Sequence, residues 1–369
     1  MLAPASTKCV ADVALGTSHS CLVKTDGTVW CWGDNGKGQL GDGTLAARAA
    51  PTLVRLPAGA HATAVTAGET HTCALLGDGT VWCWGANDTH QLGAGDADSN
   101  VPVQVSFTVG DPPGTPVKVS SLSAGGKHTC AVAEKVAYCW GENSDGQCGK
   151  DPKAFDDVAT PMAVDGIDGI VAPSSGDEFS CALKDDKSVW CWGANASGEL
   201  GNGTVTPSSA PVKVSVASVT ELSAGDETVC GLKDDGSVWC WGYGQSGGNG
   251  VGSTADQHSP VAVTTAKSIV ASGQSFHTCA IQSDAKLMCW GANDSGQLGA
   301  AKTDAHVLSP VLVSLVTVTR VALGGKHSCA ITLDGALWCW GANDLGQIGL
   351  GNAGGPEPSP RRVPFACGQ

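Results

Sequence analysis

Short stretches of alternating apolar and polar residues recur along the chain, separated by turns rich in glycine and aspartate. One such stretch, residues 71–85, reads His-Thr-Cys-Ala-Leu-Leu-Gly-Asp-Gly-Thr-Val-Trp-Cys-Trp-Gly. Its Asp-Gly pair is a hairpin signal, and the β-branched and aromatic residues that follow favour a strand. The segment therefore predicts two antiparallel strands joined by a tight turn.

The length of this turn predicts which residues face each other. A three-residue turn with Gly79 in the left-handed conformation places Cys73 directly opposite Cys83, and Trp82 opposite Ala74. Directly opposed residues that are not hydrogen-bonded to each other have Cα atoms within reach of a disulfide. We therefore expect a disulfide across the hairpin.

The same hairpin occurs seven times, and each copy predicts one disulfide. In the third copy the turn is one residue shorter, and a two-residue turn at Glu134-Lys135 keeps the cysteines opposed. Each bond closes a loop of about ten residues, which stabilises the fold by roughly 2–3 kcal/mol in the chain-entropy model. The predicted disulfides join Cys21 to Cys31, Cys73 to Cys83, Cys130 to Cys139, Cys181 to Cys191, Cys230 to Cys240, Cys279 to Cys289 and Cys329 to Cys339.

Each hairpin is flanked by two further predicted strands. One precedes the first cysteine, as in residues 9–16, and one containing proline follows a glycine-rich turn, as in residues 51–54. Four strands in each of seven units predict an all-β fold, a seven-bladed β-propeller of four-stranded antiparallel blades. Residues 1–369 then form a single domain.

The two ends of the chain predict how the ring closes. The last strand, residues 361–367, has no strand after it, and the strand starting at Cys9 is the missing one. We expect the N-terminal strand to pair with the C-terminal strand, with a disulfide between Cys9 and Cys367. The remaining cysteine, Cys148, stands where other copies have leucine or isoleucine, which predicts a buried free thiol.

The repeated motifs are Gly-x-x-His-Ser/Thr, the Asp-Gly turn, Trp-Gly-x-Asn and Gly-Gln-Leu-Gly. Over nearly the whole chain they resemble the RCC1 (regulator of chromosome condensation) repeat family, whose members form seven-bladed propellers. The paired cysteines depart from the nuclear members and resemble an extracytoplasmic, bacterial-type version. Members of this family serve as guanine-nucleotide exchange factors, as β-lactamase inhibitors and as scaffolds.

Charge and cysteine usage narrow the classes of function. The net charge of −14 argues against a nucleic-acid surface or binding to an anionic membrane, and no apolar segment is long enough to be inserted into a bilayer. Paired cysteines indicate an oxidising compartment, which means an extracellular, cell-surface or periplasmic protein. Residues 1–6 lack the apolar stretch of a signal peptide, so we expect that the signal has been removed.

Two repeated residue types offer alternatives to a purely structural role. Five histidines at one repeat position could form a ring of metal ligands, but Phe179 and Thr228 interrupt it, which favours a hydrogen-bonded scaffold position. The twelve tryptophans could stack on sugars or bases, but strands packed between blades favour a core position. No metal or other cofactor is expected. The five histidines are His19, His71, His128, His277 and His327.

No sequence motif of catalysis is present, and the candidate acids and bases recur once per repeat. The predicted function is therefore a non-catalytic, monomeric, secreted or cell-surface scaffold that binds a protein. One alternative is an inhibitor of a secreted enzyme; another is an enzyme or glycan-binding protein with a site on one face, for example around His90, His258 and His306. Guanine-nucleotide exchange does not fit an oxidising compartment.

The binding residues themselves are not assigned by the sequence. Segments that diverge from the repeat are the candidates, because loops on a rigid scaffold commonly carry binding. These segments are residues 93–116, 149–161, 242–252 and 349–360.

Overall fold

The computed structural model describes residues 9–109, 115–272, 274–300 and 304–365. These residues form seven four-stranded antiparallel sheets and one small two-stranded sheet. In each large sheet, four strands that are consecutive in the chain lie side by side. This confirms the predicted seven-bladed propeller.

Blades 1 to 3 occupy the first part of the chain. Blade 1 consists of β1 (Val10–Leu15), β2 (His19–Lys24), β3 (Val29–Gly33) and β4 (Arg48–Leu53). Blade 2 consists of β5 (Ala62–Ala67), β6 (His71–Leu76), β7 (Val81–Gly85) and β8 (Ser99–Val105), followed by the small hairpin β9 (Thr108–Val109) and β10 (Thr115–Pro116). Blade 3 consists of β11 (Val119–Ala124), β12 (His128–Ala133), β13 (Val136–Glu142) and β14 (Asp157–Ala163).

Blades 4 to 7 repeat the arrangement. Blade 4 consists of β15 (Ile170–Ser175), β16 (Phe179–Lys184), β17 (Val189–Gly193) and β18 (Ser208–Lys213). Blade 5 consists of β19 (Val219–Ala224), β20 (Thr228–Lys233), β21 (Ser237–Gly242) and β22 (Gln257–Thr265). Blade 6 consists of β23 (Ser268–Val270), β24 (His277–Ile281), β25 (Leu287–Ala292) and β26 (His306–Leu312), and blade 7 of β27 (Val318–Leu323), β28 (His327–Thr332), β29 (Leu337–Gly341) and β30 (Glu357–Arg362).

The hairpins have the register that their turns predict. In blade 2, Cys73 faces Cys83 and Ala74 faces Trp82, and Gly79 has a φ of 88°. In blade 3, the residues of the shorter turn, Glu134 and Lys135, have φ values of 50° and 63°, and the cysteines still face each other. Turn length therefore sets the register in each hairpin.

All seven hairpin disulfides predicted from the spacing are bonded in the structure, with Cα–Cα distances of 4.0–4.1 Å. Every one of these cysteines is fully buried between its own blade and a neighbour. In blade order, the bonds join Cys21 with Cys31, Cys73 with Cys83, Cys130 with Cys139, Cys181 with Cys191, Cys230 with Cys240, Cys279 with Cys289 and Cys329 with Cys339.

Tryptophan side chains join each blade to the one before it. The tryptophan that follows the second cysteine of each hairpin is fully buried, and its Nε1 donates a hydrogen bond to a backbone carbonyl in the preceding blade. The bonds are 2.8–3.0 Å long and run from Trp32 to Gln347, Trp84 to Gln39, Trp140 to Gln91, Trp192 to Gln147, Trp241 to Glu199, Trp290 to Gly248 and Trp340 to Gln297. Because one bond per blade boundary satisfies a buried donor, the indoles fix the spacing of the blades.

Side chains and loops join blades 1 and 7 where the ring closes. Trp32 bonds to the carbonyl of Gln347, and Phe365 packs edge-on against Trp30 with ring centroids 5.7 Å apart. Within the described residues, β1 pairs with β2 of its own blade and β30 pairs with β29. The predicted pairing of the N-terminal strand with the C-terminal strand extends to Cys367, outside the described residues, so this detail stays a prediction.

The remaining cysteines stand as follows. Cys148 is a free, fully buried thiol, and its Sγ lies 3.2 Å from the carbonyl oxygen of Glu142. Cys9 lines a small cavity together with Val363 and Phe365. The predicted clasp stays a prediction, because Cys367 lies outside the described residues.

Antiparallel connectivity divides the connecting loops between two faces. Loops that join the first to the second strand, and the third to the fourth, lie on one face, which we call the loop face. The cysteine hairpins and the blade-to-blade connections lie on the other, the hairpin face. Of the divergent segments, 149–161, 242–252 and 349–360 lie largely on the loop face, whereas the insertion around β9 and β10 extends from the hairpin face.

Candidate functional site

The first strands of the seven blades line a central channel with a cavity volume of about 180 Å³. Small residues line it, and hydroxyls along its wall join neighbouring blades. Ser123 Oγ accepts a hydrogen bond from the backbone N–H of Ser175 (2.9 Å), and Ser174 Oγ accepts one from that of Ala224 (2.8 Å). The wall of the channel is therefore a rigid support for whatever lies at its ends.

Backbone hydrogen bonds also run around the channel mouth on the loop face. The N–H of Glu69 donates to the carbonyl of Gly126 (3.0 Å), and that of Gly126 donates to the carbonyl of Asp177 (3.2 Å). The N–H of Asp177 donates to the carbonyl of Asp226 (3.0 Å), and that of Asp226 donates to Ser275 (3.2 Å). In blades 2 to 5, the second residue after the first strand is thus held at the rim.

Carboxylates concentrate on one side of this rim. We call this set the acidic mouth; its members come from the loops and strand ends of blades 2 to 5 and are Glu69, Glu142, Asp177, Glu178, Asp226 and Glu227. On the other side, the hydroxyl of Thr17 in blade 1 donates to Oε1 of Gln274 in blade 6 (3.0 Å). The mouth is therefore acidic on one side and neutral on the other.

At one repeat position, the acidic mouth has the opposite charge to two other blades. The residue before the repeated histidine is a lysine in blades 3 and 7. Lys127 Nζ lies 3.9 Å from Asp88 Oδ2, and Lys326 Nζ lies 2.5 Å from Asp294 Oδ2. In blades 4 and 5 this residue is Glu178 or Glu227 instead.

These glutamates lack the complementary neighbour that the lysines have in the preceding blade. The negative charge of Asp145 repels that of Glu178, and the positive charge of Lys127 offsets only part of this repulsion. Glu227 accepts a 3.4 Å hydrogen bond from the uncharged Ser197 Oγ. The same two blades have phenylalanine and threonine in place of the repeated histidine. Several repeat positions therefore change in blades 4 and 5 together. These two blades differ from the other five on the side that forms the acidic mouth.

Burial and mutual repulsion shift the pKa values of these carboxyls. Burial, assisted by the charges of Glu178 and Glu69, raises the pKa of Asp177 to about 7. Burial and the charge of Asp177 raise the pKa of Asp226 to about 8. Burial also raises the pKa of Glu142, although the charge of Lys127 offsets part of the effect. The mouth therefore holds carboxyls that are not fully ionised at neutral pH.

A further buried carboxyl lies in the loop between the third and fourth strands of blade 4, next to blade 5. Glu199 replaces the glutamine of the repeated Gly-Gln-Leu-Gly motif and is 3% exposed. Its carboxylate oxygens accept hydrogen bonds from the backbone N–H of Ser197 at 3.0 and 3.2 Å. Burial raises the pKa of Glu199 to about 7, and the charge of Glu227 adds to the shift.

Ser175 is a second exception to the repeat, and it lies in the channel wall directly before the acidic loop of blade 4. It occupies the last position of the first strand, where other blades have Ala67, Ala124 or Ala224. Its side chain is 2% exposed, it lines the cavity, and its Oγ has no hydrogen-bond partner. Buried hydroxyls in proteins are rarely left unpaired.

The five repeated histidines join blades, as the scaffold interpretation predicted. Each is buried, and its Nε2 lies 2.8–2.9 Å from a hydroxyl in the next blade. The pairs are His19–Thr72, His71–Thr129, His128–Ser180, His277–Ser328 and His327–Ser20. Within the described parts of the chain, no group of three or more His, Cys, Asp or Glu residues is placed to hold a metal ion.

The histidines outside the repeat do not form a cluster. His90 is within 3.3 Å of Asp157 at the boundary of blades 2 and 3, whereas His258 packs against Gly198 in blade 4. His306 begins the last strand of blade 6 and faces Ala292. They occupy the rim of three different blades, so the arrangement suggested for an enzyme is absent from the described residues.

The first tryptophan of the motif is less buried than the sequence predicted. Trp30, Trp190 and Trp239 are half-buried, and each Nε1 donates to a Ser or Thr hydroxyl two residues earlier. A lysine ammonium group lies 5.2–5.9 Å from each ring centroid. These rings are covered by the protein's own lysines, so they do not form open stacking platforms.

Sequence reasoning missed the acidic mouth, although a signal was present. Glu178 and Glu227 stand where two of the other repeats have lysine and none has an acidic residue, and Glu199 stands where five repeats have glutamine. Position-by-position comparison of the repeats would have revealed these changes. The divergent loops drew attention instead, because they differ in length.

The family follows from comparison with known proteins. A model described as RCC1-like domain matches residues 117–369, and a model of the regulator of chromosome condensation (RCC1) repeat matches residues 26–75 and 78–132. The chain belongs to the RCC1 repeat family. Within the described residues, no helix is long and apolar enough to cross a membrane.

Individual relatives match parts of this chain. The chain is 32% identical over 209 residues to the ultraviolet-B receptor UVR8 of Arabidopsis thaliana, covering 56% of this chain and 46% of the receptor. It is 30% identical over 208 residues to the E3 ubiquitin-protein ligase HERC2 of Homo sapiens, covering 55% of this chain and 4% of the ligase. The chain thus spans less than half the length of these relatives.

Solved structures show the same fold. Prp20p of Saccharomyces cerevisiae matches with a TM-score of 0.81 and 21% identity, covering 98% of this chain and 89% of Prp20p. The ectodomain of the Physcomitrella patens receptor kinase CR4 matches with a TM-score of 0.56 and 21% identity, covering 90% of this chain and 74% of the ectodomain. At these identities the likeness concerns the fold alone.

Proposed function

We propose that this RCC1-repeat propeller is a non-catalytic scaffold of an oxidising, extracytoplasmic compartment that binds a protein through its acidic mouth. Seven hairpin disulfides support the compartment, because such bonds persist where thiols are not kept reduced. The Prp20p structure was described together with its binding to Gsp1p and histones, so a propeller of this fold supports protein binding.

The reversal of charge at Glu178 and Glu227 carries the proposal. A scaffold position that holds lysine opposite aspartate in two blades holds glutamate in two others, opposite an acidic or an uncharged residue. Since like charges that stay together lower the stability of the fold, a partner with a basic surface would provide the missing compensation. The partner we infer is therefore a protein that presents lysine and arginine residues.

The test is a double substitution, Glu178→Lys with Glu227→Lys, which restores the residue type found in blades 3 and 7. The matched control, Glu134→Lys with Asp168→Lys, makes the same change of net charge on the hairpin face. We expect the first variant to lose at least about tenfold in affinity for a protein captured from the secreted fraction of the source organism, as loss of close charge pairs does. The control should bind like the unmodified protein.

Equal binding by the Glu178/Glu227 variant, measured by surface plasmon resonance, would contradict the proposal. Thermal unfolding of both variants checks that each is folded. Because lysine is native at the equivalent position of blades 3 and 7, we expect no loss of stability from the Glu178/Glu227 change.

A further inference from the structure

The acidic mouth lies above a cavity whose wall contains an unsatisfied hydroxyl. Asp177 and Asp226 are joined by a backbone hydrogen bond of 3.0 Å and repel each other electrostatically. Ser175, two residues before Asp177, lines the cavity beneath them, and its Oγ has no partner. Two carboxyls on neighbouring blades thus lie at the same end of the channel as a buried hydroxyl without a partner.

We propose that this point receives one cationic side chain, a lysine or arginine of the protein partner, whose charged group lies between Asp177, Asp226 and Ser175. The inference rests on the proposed function, since it assigns the anchor of the same partner. Lysine and arginine are donors only, which matches three groups that all have acceptor oxygens. A charge-assisted bond is stronger than a neutral one, so a single anchor would contribute much of the specificity.

Several features favour a cationic side chain as the occupant. Glycine at position 126 leaves space that the Asp177 carboxylate occupies, so that carboxylate is fixed at the rim. The cavity of about 180 Å³ gives depth beneath the rim. The neutral Thr17–Gln274 bridge lies on the opposite side of the mouth, so the carboxyls of the acidic mouth would attract a cation to one side.

The experiment measures where an arginine-containing peptide binds to the full chain. The probe is acetyl-Gly-Gly-Arg-Gly-Gly-amide, and the control probe has citrulline, the uncharged isostere, in place of arginine. Carboxyl ¹³C resonances of Asp177 and Asp226 are assigned by their disappearance in Asp177→Asn and Asp226→Asn. We expect the arginine peptide to shift both resonances and the citrulline peptide to shift neither.

Variants decide whether the three groups form the site. Ser175→Ala introduces the residue native to three other blades, and we expect it to weaken binding by about three- to tenfold, as loss of one hydrogen bond does. Asp177→Asn with Asp226→Asn should weaken it by about tenfold or more, because a charged partner is lost. The control pair Glu134→Lys with Asp168→Lys should leave the dissociation constant unchanged.

Three results would overturn this inference: no shift with arginine, equal shifts with citrulline, or unchanged binding by the Ser175 and aspartate variants. If the arginine peptide shifts only Glu178 and Glu227, the partner binds the outer surface. In that case the anchor fails while the charge-reversal experiment still supports the proposed function.

Discussion

The repeated histidine shows how one residue type can be structural in a position that looks chemical. Each imidazole is buried and reaches a hydroxyl in the next blade, so its role is to join blades. Its Nδ1 has no hydrogen-bond partner. Burial lowers the pKa of His71 to about 3, so this ring stays neutral in the folded protein.

Replacement of His71 tests this role. His71→Phe copies Phe179, which fills the equivalent position of blade 4, so we expect a loss of at most about 1 kcal/mol in the free energy of unfolding. Thr129 would keep its hydrogen bond to the carbonyl of Gln91 (3.2 Å). His71→Ala leaves a cavity and should cost about 2–4 kcal/mol.

Urea denaturation of the two His71 variants at pH 7.5 provides the measurement. Equal losses for phenylalanine and alanine would mean that the hydrogen bond, and not the volume of the ring, determines the contribution of this position.

At the scale of the element, the hairpin is the unit that the sequence specifies most strongly. Turn length, glycine position and cysteine spacing all require the same register, and the two-residue turn of blade 3 preserves it. Because a strand's side chains alternate between faces, a shift of one residue would separate every pair of cysteines. This redundancy is why seven pairs could be predicted from spacing.

Thiol titration tests the hairpins and the predicted clasp together. Of seventeen cysteines, fourteen form the hairpin disulfides, and Cys148 is free and buried. We expect no reaction with Ellman's reagent in the native state, because burial raises the pKa of the Cys148 thiol. In denaturant without reductant, one thiol per chain should react.

Three reactive thiols would show that Cys9 and Cys367 are not joined, and a larger number would contradict the hairpin disulfides. Cys148→Leu, which introduces the residue of four other blades, is the control and should reduce the count by one.

At the scale of the whole molecule, two sets of buried groups change the stability of the fold in opposite directions as the pH changes. The buried histidines have lowered pKa values of about 3 or 4, so below their unfolded value of about 6.5 the unfolded chain binds more protons. Their contribution to stability falls as pH falls from about 6.5 towards 4. The raised carboxyls act in the opposite direction.

The carboxyls of Asp177, Asp226 and Glu199 have pKa values raised to about 7, 8 and 7. Between about pH 4 and these values the folded chain binds more protons, so their contribution to stability falls as pH rises. Below pH 6.5 the five histidines of the unfolded chain bind more extra protons than the three carboxyls of the folded chain do, so stability falls as pH falls. We therefore expect maximal stability near pH 6.5 and a decline on each side.

Thermal unfolding measured from pH 4.5 to 9 tests this profile. Glu199→Gln, which restores the glutamine of other blades, should reduce the decline between pH 6.5 and 8, and Asp177→Asn with Asp226→Asn should remove most of the rest. A melting temperature that stays constant from pH 6.5 to 8 in the unmodified protein would contradict the raised pKa values.

The sequence by itself determined the strands, the hairpin register, the number of blades and the disulfide pairs. These follow from local rules of turn geometry and alternation, repeated often enough to check one another. Tertiary structure alone decided which side chains join the two ends of the ring. Trp32 of blade 1 bonds to the carbonyl of Gln347 in blade 7, and Phe365 packs against Trp30.

Tertiary structure also decided where charge gathers. In sequence, Asp177 lies 108 residues after Glu69 and 49 residues before Asp226, and only the circular arrangement brings their loops to one rim. Their pKa values depend on burial and on neighbours in other blades, which are long-range quantities. A local pattern specifies each blade, whereas the acidic mouth exists only once the blades are placed side by side.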